Sequence, residues 1–354
     1  MKILHVITSM GMGGAQRLLV DLIPLQKAKG NQVLVACLFA YENRAFIDTI
    51  HSVGVEIVQL YYNRINLLTT ILRLSKLMRK QDVVHVHLYP ALYISAIASL
   101  FIHTPLVWTE HSTSNSRRSK SWLRPIERWV YSKYNRLISI SQQTQDNLIS
   151  WIGQQAGRNV IINNGVDNKR FKSIHKTVDD YTLIMISRFT ASKDQETVIR
   201  AMKYINGDTV LRFVGDGETR EKCEKLAKEL GVYNRIEFLG SRSDIAELIC
   251  SSYIGVQSSN WEGFGLTAVE IMSAGKPVVA SNVNGLRQVV EGAGVIFEHG
   301  NERELADIIN KLLNDTDYYN RIAMACMLRS EMYSIERTSE KYLDIYYELA
   351  NGKG

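Results

Sequence analysis

Apolar residues along the chain fall into two alternating kinds of block: short aliphatic runs, and longer stretches in which they return every three or four positions. Ile3-Leu4-His5-Val6-Ile7 is the first run, it ends in Gly11-Met12-Gly13-Gly14, and Ala15 to Leu25 then carries helical spacing. The chain therefore opens as strand, glycine turn, helix, the start of a Rossmann-like unit. Further strands are predicted at 33–40, 55–60, 83–88, 107–109, 137–140 and 160–162, with helices over 66–80 and 91–101 and another capped by Ser141. After Asn163-Asn164-Gly165-Val166-Asp167, whose Asn and Gly favour a turn, strands recur at 183–187, 210–214, 236–239, 254–256 and 278–280, with helices at 244–251 and 266–273. Strand alternating with helix predicts an α/β protein with parallel, doubly wound sheets. Its 354 residues suffice for two domains, 1–168 and 169–334, with the connector near 169–177. From Glu331 onward, Ile335, Tyr342, Leu343, Ile345, Tyr346 and Leu349 mark an amphipathic last helix.

Composition narrows this picture. An apolar fraction of 45% and a charged fraction of 22% describe a soluble globular protein, without a run of about 18 apolar residues. The first residues read as a buried strand and not as a signal peptide. Cys37, Cys223, Cys250 and Cys326 are far apart with no metal-ligand spacing, which fits a reduced cytoplasm better than a disulfide framework. Residues 1–165 hold 18 Lys/Arg against 8 Asp/Glu, and the remainder 24 against 28. That asymmetry predicts an anionic partner surface on the first domain.

The stretch richest in chemistry is W-E-G-F-G-L-T-A-V-E-I-M-S-A-G-K-P-V-V-A-S, Trp261 to Ser281. Glu262-Gly263-Phe264-Gly265 is a glycine bend feeding a helix that begins at Leu266 and Thr267. Unpaired N–H groups and the positive end of the helix dipole make such a junction a phosphate site. Glu270, one turn in, would repel phosphate but can accept hydrogen bonds from the vicinal hydroxyls of a ribose. A capping box between Thr267 and Glu270 is the purely structural alternative. Embedded in E-G-F-G-L-T-x-x-E-x-M-x-x-G-x-P-V-V-A, the Glu262/Glu270 pair resembles the signature of the retaining glycosyltransferases of family 4, which have the GT-B fold.

That resemblance extends over nearly the whole chain, and it implies two Rossmann-like domains facing across a cleft, with the last helix returning to the first domain. G-G-A-Q-R resembles the family's first loop, where Gly13 and Gly14 would face the donor's diphosphate; a dinucleotide fingerprint fails because Gln16 replaces the third glycine. His111, after the strand Val107-Trp108-Thr109, matches a histidine that contacts the transferred sugar or positions the acceptor, although Ser112 stands where Asp or Glu often follows. Arg188 and Lys193 match the cations that neutralise the departing nucleoside diphosphate, with Asp194 replacing the usual glycine. The loop Gly215-Asp216-Gly217-Glu218 and Arg242 are implied near the nucleobase, and N-G-V-D at 164–167 matches the hinge.

Two further clusters invite other chemistry. His85 and His87 lie on one face of a strand and could pair on a metal, but the sequence shows no third ligand nearby, so a buried strand is expected. Asp315-Thr316-Asp317 imitates a metal motif of another transferase fold and reads as a helix cap. No bound metal or other cofactor is predicted. Arg117, Arg118, Lys120, Arg124, Arg128, Lys133 and Arg136, opposed only by Glu127 and interleaved with Trp122, Trp129, Tyr131 and Tyr134, form a basic aromatic segment suited to an anionic membrane surface. No nucleic-acid motif accompanies it.

The resemblance thus implies transfer of a hexose or N-acetylhexosamine from a nucleotide sugar, UDP-linked, to a lipid-linked saccharide, at the cytoplasmic face of the inner membrane, in cell-surface polysaccharide or O-antigen assembly. Glu262 would hold sugar hydroxyls and Glu270 the ribose. A UDP-sugar epimerase of the same fold, or a non-catalytic nucleotide-sugar-binding protein, would use the same residues without an acceptor.

Overall fold

Seven strands build the first sheet: β1 (Lys2–Ile7), β2 (Gln32–Cys37), β3 (Glu56–Gln59), β4 (Val83–His87), β5 (Leu106–Glu110), β6 (Arg136–Ser139) and β7 (Asn159–Ile161). Six build the second: β8 (Thr182–Ile186), β9 (Val210–Val214), β10 (Ile236–Phe238), β11 (Ile254–Gln257), β12 (Val278–Ser281) and β13 (Val295–Phe297). These come from a computed structural model describing all residues except 12, 40–42, 61–65, 114, 155–156, 173, 175–180 and 353–354. All strand pairs are parallel, in the orders β3-β2-β1-β4-β5-β6-β7 and β10-β9-β8-β11-β12-β13. Strand order reverses between β1 and β4 and again between β8 and β11. At those two points the strand ends open a crevice where α/β proteins bind ligands.

The chain divides into Met1–Gly165 with Ile335–Gly354, and Val166–Ser334. The junction falls just before the one drawn at 168; helix Asn168–Lys172 occupies the start of the expected connector, while 173 and 175–180 lie outside the described residues. In the first unit the side chains of β1 alternate as a strand requires. Leu4 and Val6 face a core with Val84, Val86, Trp108 and Leu137, whereas Ile3 faces the layer of Leu18, Leu22, Tyr342 and Tyr346. The second layer is helix Gly14–Ala28 with helix Ile335–Ala350, so the last helix covers the first sheet. Arg136 pins it further through Glu348 at 2.7 Å.

The second unit buries Leu183, Met185, Phe213 and Val256 against Val198, Ile199, Leu305 and Ile309. Phe213 stacks on Phe238 beside them, and Phe189, just past β8, meets Phe213 edge-on and anchors the loop that follows. Caps act where polar residues precede helices: Ser141 accepts from Thr144 N at 3.2 Å, and Asp315 from Tyr318 N at 2.8 Å, which makes Asp315-Thr316-Asp317 a helix start. Cys37, Cys223, Cys250 and Cys326 are buried, and none is in a disulfide among the described residues. Among the described residues no helix is long and apolar enough to cross a membrane.

Candidate active site

At the switch point of the second unit, the loop after β8 and the loop after β11 are laced together. Lys193 and Ser259 form an antiparallel bridge, Asn260 N donates to Ser192 O at 2.9 Å, and Asn260 Nδ2 donates to Ala191 O at 2.9 Å. The pairing fixes Lys193, whose Nζ donates to Ser259 Oγ at 3.3 Å and forms an ion pair with Glu262. Gly263 N in turn donates to Glu262 Oε1 at 3.1 Å. Arg188 behaves differently: its guanidinium is exposed and makes no hydrogen bond or ion pair among the described residues. The Asp194 that stands in place of glycine caps helix Gln195–Ala201, accepting from Thr197 N at 3.2 Å and from Ser258 Oγ at 2.8 Å.

Beyond Glu262 the bend closes as the sequence required. Gly265 caps helix Leu266–Ser273 with φ 85°, and a Cβ there would lie 2.8 Å from Leu286 Cδ1. Gly285, with φ 86°, passes so close that a Cβ would meet Glu262 O at 2.3 Å. Two glycines therefore hold the loop at 282–286 against the bend. The N–H groups of Leu266 and Thr267 sit in the first turn, where no residue four back can accept from them. Phe264 is buried beneath the bend, and Glu270 is half-buried. Because Gly265 is the cap, Thr267 lies inside the helix and the capping box with Glu270 does not form.

Asp216 is held by Gly217 N at 2.8 Å and by Arg220 Nη1 at 3.1 Å. A Cβ on Gly215 or Gly217 would meet Ser187 O at 2.1 Å or Phe189 O at 2.3 Å, so these glycines let 215–217 lie against the Arg188 loop. Arg242 grips Asp244 at 2.8 and 2.7 Å, and no contact ties it to Arg188, Lys193 or Glu262 among the described residues.

In the first unit, Gly13 caps helix Gly14–Ala28, and a Cβ on it would lie 2.5 Å from Gln16 Oε1. Gln16 folds back to donate to Ser9 O at 3.3 Å and so fills the turn that a third glycine would leave open. His111 is half-buried past the end of β5. It is not alone: the register pairs His5 with His85 across β1 and β4, and alternation puts His87 and Thr109 on the same face. Four histidines thus meet where the sequence reading found a pair without a third ligand. His5 was missed because its neighbour is a strand partner 80 residues away.

His5 Nε2 bonds Gln26 Oε1 at 2.8 Å, His5 Nδ1 meets His87 Nε2 at 3.2 Å, and His87 Nδ1 meets His111 Nε2 at 3.2 Å. His85 bridges Thr109 Oγ1 at 2.7 Å and the Tyr346 hydroxyl. Burial lowers His5 to about 4 and His111 to about 3, and it holds His85 and His87, crowded by the other imidazoles, well below the ordinary range. All four are neutral at physiological pH. Nitrogens of His5, His85 and His87 lie within 4.8 Å of one another, as metal ligands could, but each of their six ring nitrogens already has a hydrogen-bond partner.

The basic segment corrects its prediction. Arg118 turns inward to Glu110 at 2.9 Å, and Arg117 pairs with the buried Glu127 at 3.5 Å while stacking on Tyr89 at 4.4 Å. Arg124 donates to Trp151 O at 2.7 Å and Arg128 to Ile152 O at 3.1 Å, at the carbonyl end of helix Gln142–Ile152. Buried carboxylates and open helix carbonyls claim these cations. Lys120 and Trp122 do face solvent, and Trp122, Ile126 and Trp129 form an exposed stripe along helix Arg124–Tyr131 and the turn before it.

Residues 12–170 match the model of Glycosyltransferase Family 4, and residues 166–325 that of Glycosyl transferases group 1. The chain belongs to the GT-B glycosyltransferases of the family 4 type. Anabaena HepE in complex with UDP-glucose superposes with a TM-score of 0.85 at 25% identity, covering 98% of this chain and 100% of that one. The UDP-Gal:alpha-D-GlcNAc-diphosphoundecaprenol alpha-1,3-galactosyltransferase of Escherichia coli is 25% identical over 313 residues, 80% of each chain. Glycogen synthase of Mycobacterium tuberculosis is 26% identical over 279 residues, 73% of this chain and 67% of the relative.

Proposed function

We propose that the protein is a retaining, metal-independent glycosyltransferase that moves a hexose or N-acetylhexosamine from a UDP-sugar to a hydroxyl of a lipid-linked saccharide in cell-surface polysaccharide assembly, including O-antigen. The observation that carries this is the lacing of the Arg188–Lys193 loop to the glycine bend at the second switch point. That lacing fixes Lys193 beside the bend that opens helix Leu266–Ser273, Arg188 stands at the start of the same loop with its side chain exposed, and two cations with the N–H groups of a helix start suit a diphosphate. Glu262 then serves sugar hydroxyls, Glu270 the ribose hydroxyls, and the Asp216 loop and Arg242 the base end. In the first unit Gly13 and Gly14 serve the donor's diphosphate, and His111 the transferred sugar or the acceptor.

As the bond between the anomeric carbon and phosphate oxygen breaks, negative charge grows on the diphosphate. Arg188 and Lys193 stabilise it in the role a divalent cation could otherwise fill. The acceptor oxygen bonds the same face of that carbon and its proton passes to the leaving phosphate oxygen, so no covalent enzyme intermediate is needed. The name of the Escherichia coli relative supports a diphosphoundecaprenol-linked acceptor, and with such an acceptor we expect the work at the cytoplasmic face of the inner membrane, with Trp122, Ile126 and Trp129 meeting the bilayer.

A panel of UDP- and GDP-sugars offered with lipid-diphosphate saccharides tests this. Transfer from a UDP-sugar, slowed about a hundredfold in Arg188→Ala and weakened through donor KM in Glu270→Ala, is expected. Undiminished turnover in both variants, or isomerisation of the donor without an acceptor, would overturn it.

A further inference from the structure

We propose that Gln26, His5 and His87 are positioning residues that fix the tautomer of His111, leaving on its Nδ1 a lone pair that accepts a hydrogen bond from a substrate hydroxyl. The assignment of that hydroxyl to a sugar substrate rests on the glycosyltransferase reading above. Four groups lie in one line across the sheet face: Gln26 on helix Gly14–Ala28, His5 on β1, His87 on β4 and His111 past β5, linked at 2.8, 3.2 and 3.2 Å.

A neutral imidazole has one N–H and one lone pair, so each link in such a line dictates the next. Gln26 presents its carbonyl oxygen, which can only accept. His5 must therefore carry its proton on Nε2 and offer a lone pair at Nδ1. That lone pair takes the Nε2 proton of His87, whose Nδ1 then takes the Nε2 proton of His111. His111 Nδ1 is left bare, and it is a buried atom with no partner among the described residues. An amide terminates the far end and takes up no proton at physiological pH, so the line orients hydrogen bonds and does not drain protons. His85 stays outside it, committed to Thr109 and Tyr346.

The chemical class served follows from the lone pair. A hydroxyl can donate to it, whereas a carboxylate brings a second acceptor and is repelled. At this atom the site takes a hydroxyl of the substrate and disfavours a carboxylate.

Histidine-selective nitrogen-15 labelling of the full chain, read through long-range ring correlations, tests the line directly. The expected result is a pyridine-like Nδ1 and a pyrrole-like Nε2 for His111. In Gln26→Leu, with melting temperature checked, that assignment should mix or reverse, while kcat falls about tenfold, the worth of one hydrogen bond, and the donor KM stays unchanged. A pyrrole-like His111 Nδ1 in the native chain, or a Gln26→Leu spectrum identical to it, would overturn the proposal. So would one equivalent of zinc retained by the purified protein and lost in His5→Phe, because a metal would occupy the lone pairs. The expected tautomer in a chain that transfers no sugar would uphold the line and sink only the reading of the reaction.

Discussion

Arg188 and Lys193 carry the same charge, yet their surroundings assign them different consequences. Lys193 is bound into the fold by Ser259 and Glu262, so Lys193→Ala frees a half-buried carboxylate as well as removing a cation. The Arg188 side chain holds nothing in place among the described residues; only its backbone carbonyl does, accepting from Gln195 Nε2 at 3.1 Å and Thr190 N at 3.1 Å, bonds that alanine keeps. Arg188→Ala should leave the melting temperature unchanged and lower kcat by about a hundredfold, the scale of losing one preorganised group of about 3 kcal/mol. Steady-state kinetics beside thermal melting separates the two, and a fall in stability with Arg188→Ala would contradict this placement. The histidine face makes a second residue-scale prediction. His5 is lowered from 6.5 to about 4 in the folded chain, so on acidification the unfolded chain binds its proton first. The stabilisation is complete above pH 6.5 and is lost as pH falls from there toward 4, by about 1.4 kcal/mol per unit for each histidine that titrates only when unfolded. Also facing this cluster are Gln26, Thr109, Tyr342 and Tyr346, none of which titrates in that window. Melting temperatures should drop steeply from pH 7 to 5 in the native chain and less in His5→Phe; parallel curves would refute the assignment.

Elements differed in how openly the sequence declared them. The bend at 262–265 was legible because glycine at a helix start has few other uses, and its φ of 85° shows the need. Ser141 and Asp315 were legible as polar residues placed just ahead of helices. What could not be read was anything created by register. The Lys193–Ser259 bridge joins positions 66 apart, and His5 meets His87 only through the pairing of β1 with β4. Three-residue β13 carries too little pattern to announce itself and exists because β12 offers it an edge. Gly285 is the element-scale test. Its Cβ would strike Glu262 O, and its φ already disfavours alanine, so Gly285→Ala must push the bend away from the 282–286 loop. UDP affinity by calorimetry should fall at least tenfold, about 1.4 kcal/mol, with a modest loss of stability. Native affinity in that variant would mean the bend does not hold the diphosphate.

At the scale of the molecule, the sequence exposed two sheets and an uneven charge but misjudged where the charge acts. Net charge counts side chains without saying which are consumed inside, and Glu110, Glu127 and the carbonyls ending helix Gln142–Ile152 consume Arg118, Arg117, Arg124 and Arg128. Reversing Arg117 or Arg118 would place two carboxylates together in a poorly hydrated site, so such variants should unfold before they report on any membrane. The surface left over is a stripe with Trp122 66% and Trp129 42% exposed, Ile126 between them, Lys133 over the Trp129 ring and Lys120 beside it in sequence. Indole rings settle at headgroup depth, and each nearby lysine adds about 1 kcal/mol on an anionic surface. Trp122→Ser with Trp129→Ser should therefore abolish sedimentation with phosphatidylglycerol vesicles while the melting temperature holds, and Lys120→Glu with Lys133→Glu should weaken it most at low salt. If the tryptophan pair is removed and the protein still sediments with the vesicles, the bilayer is met by another face.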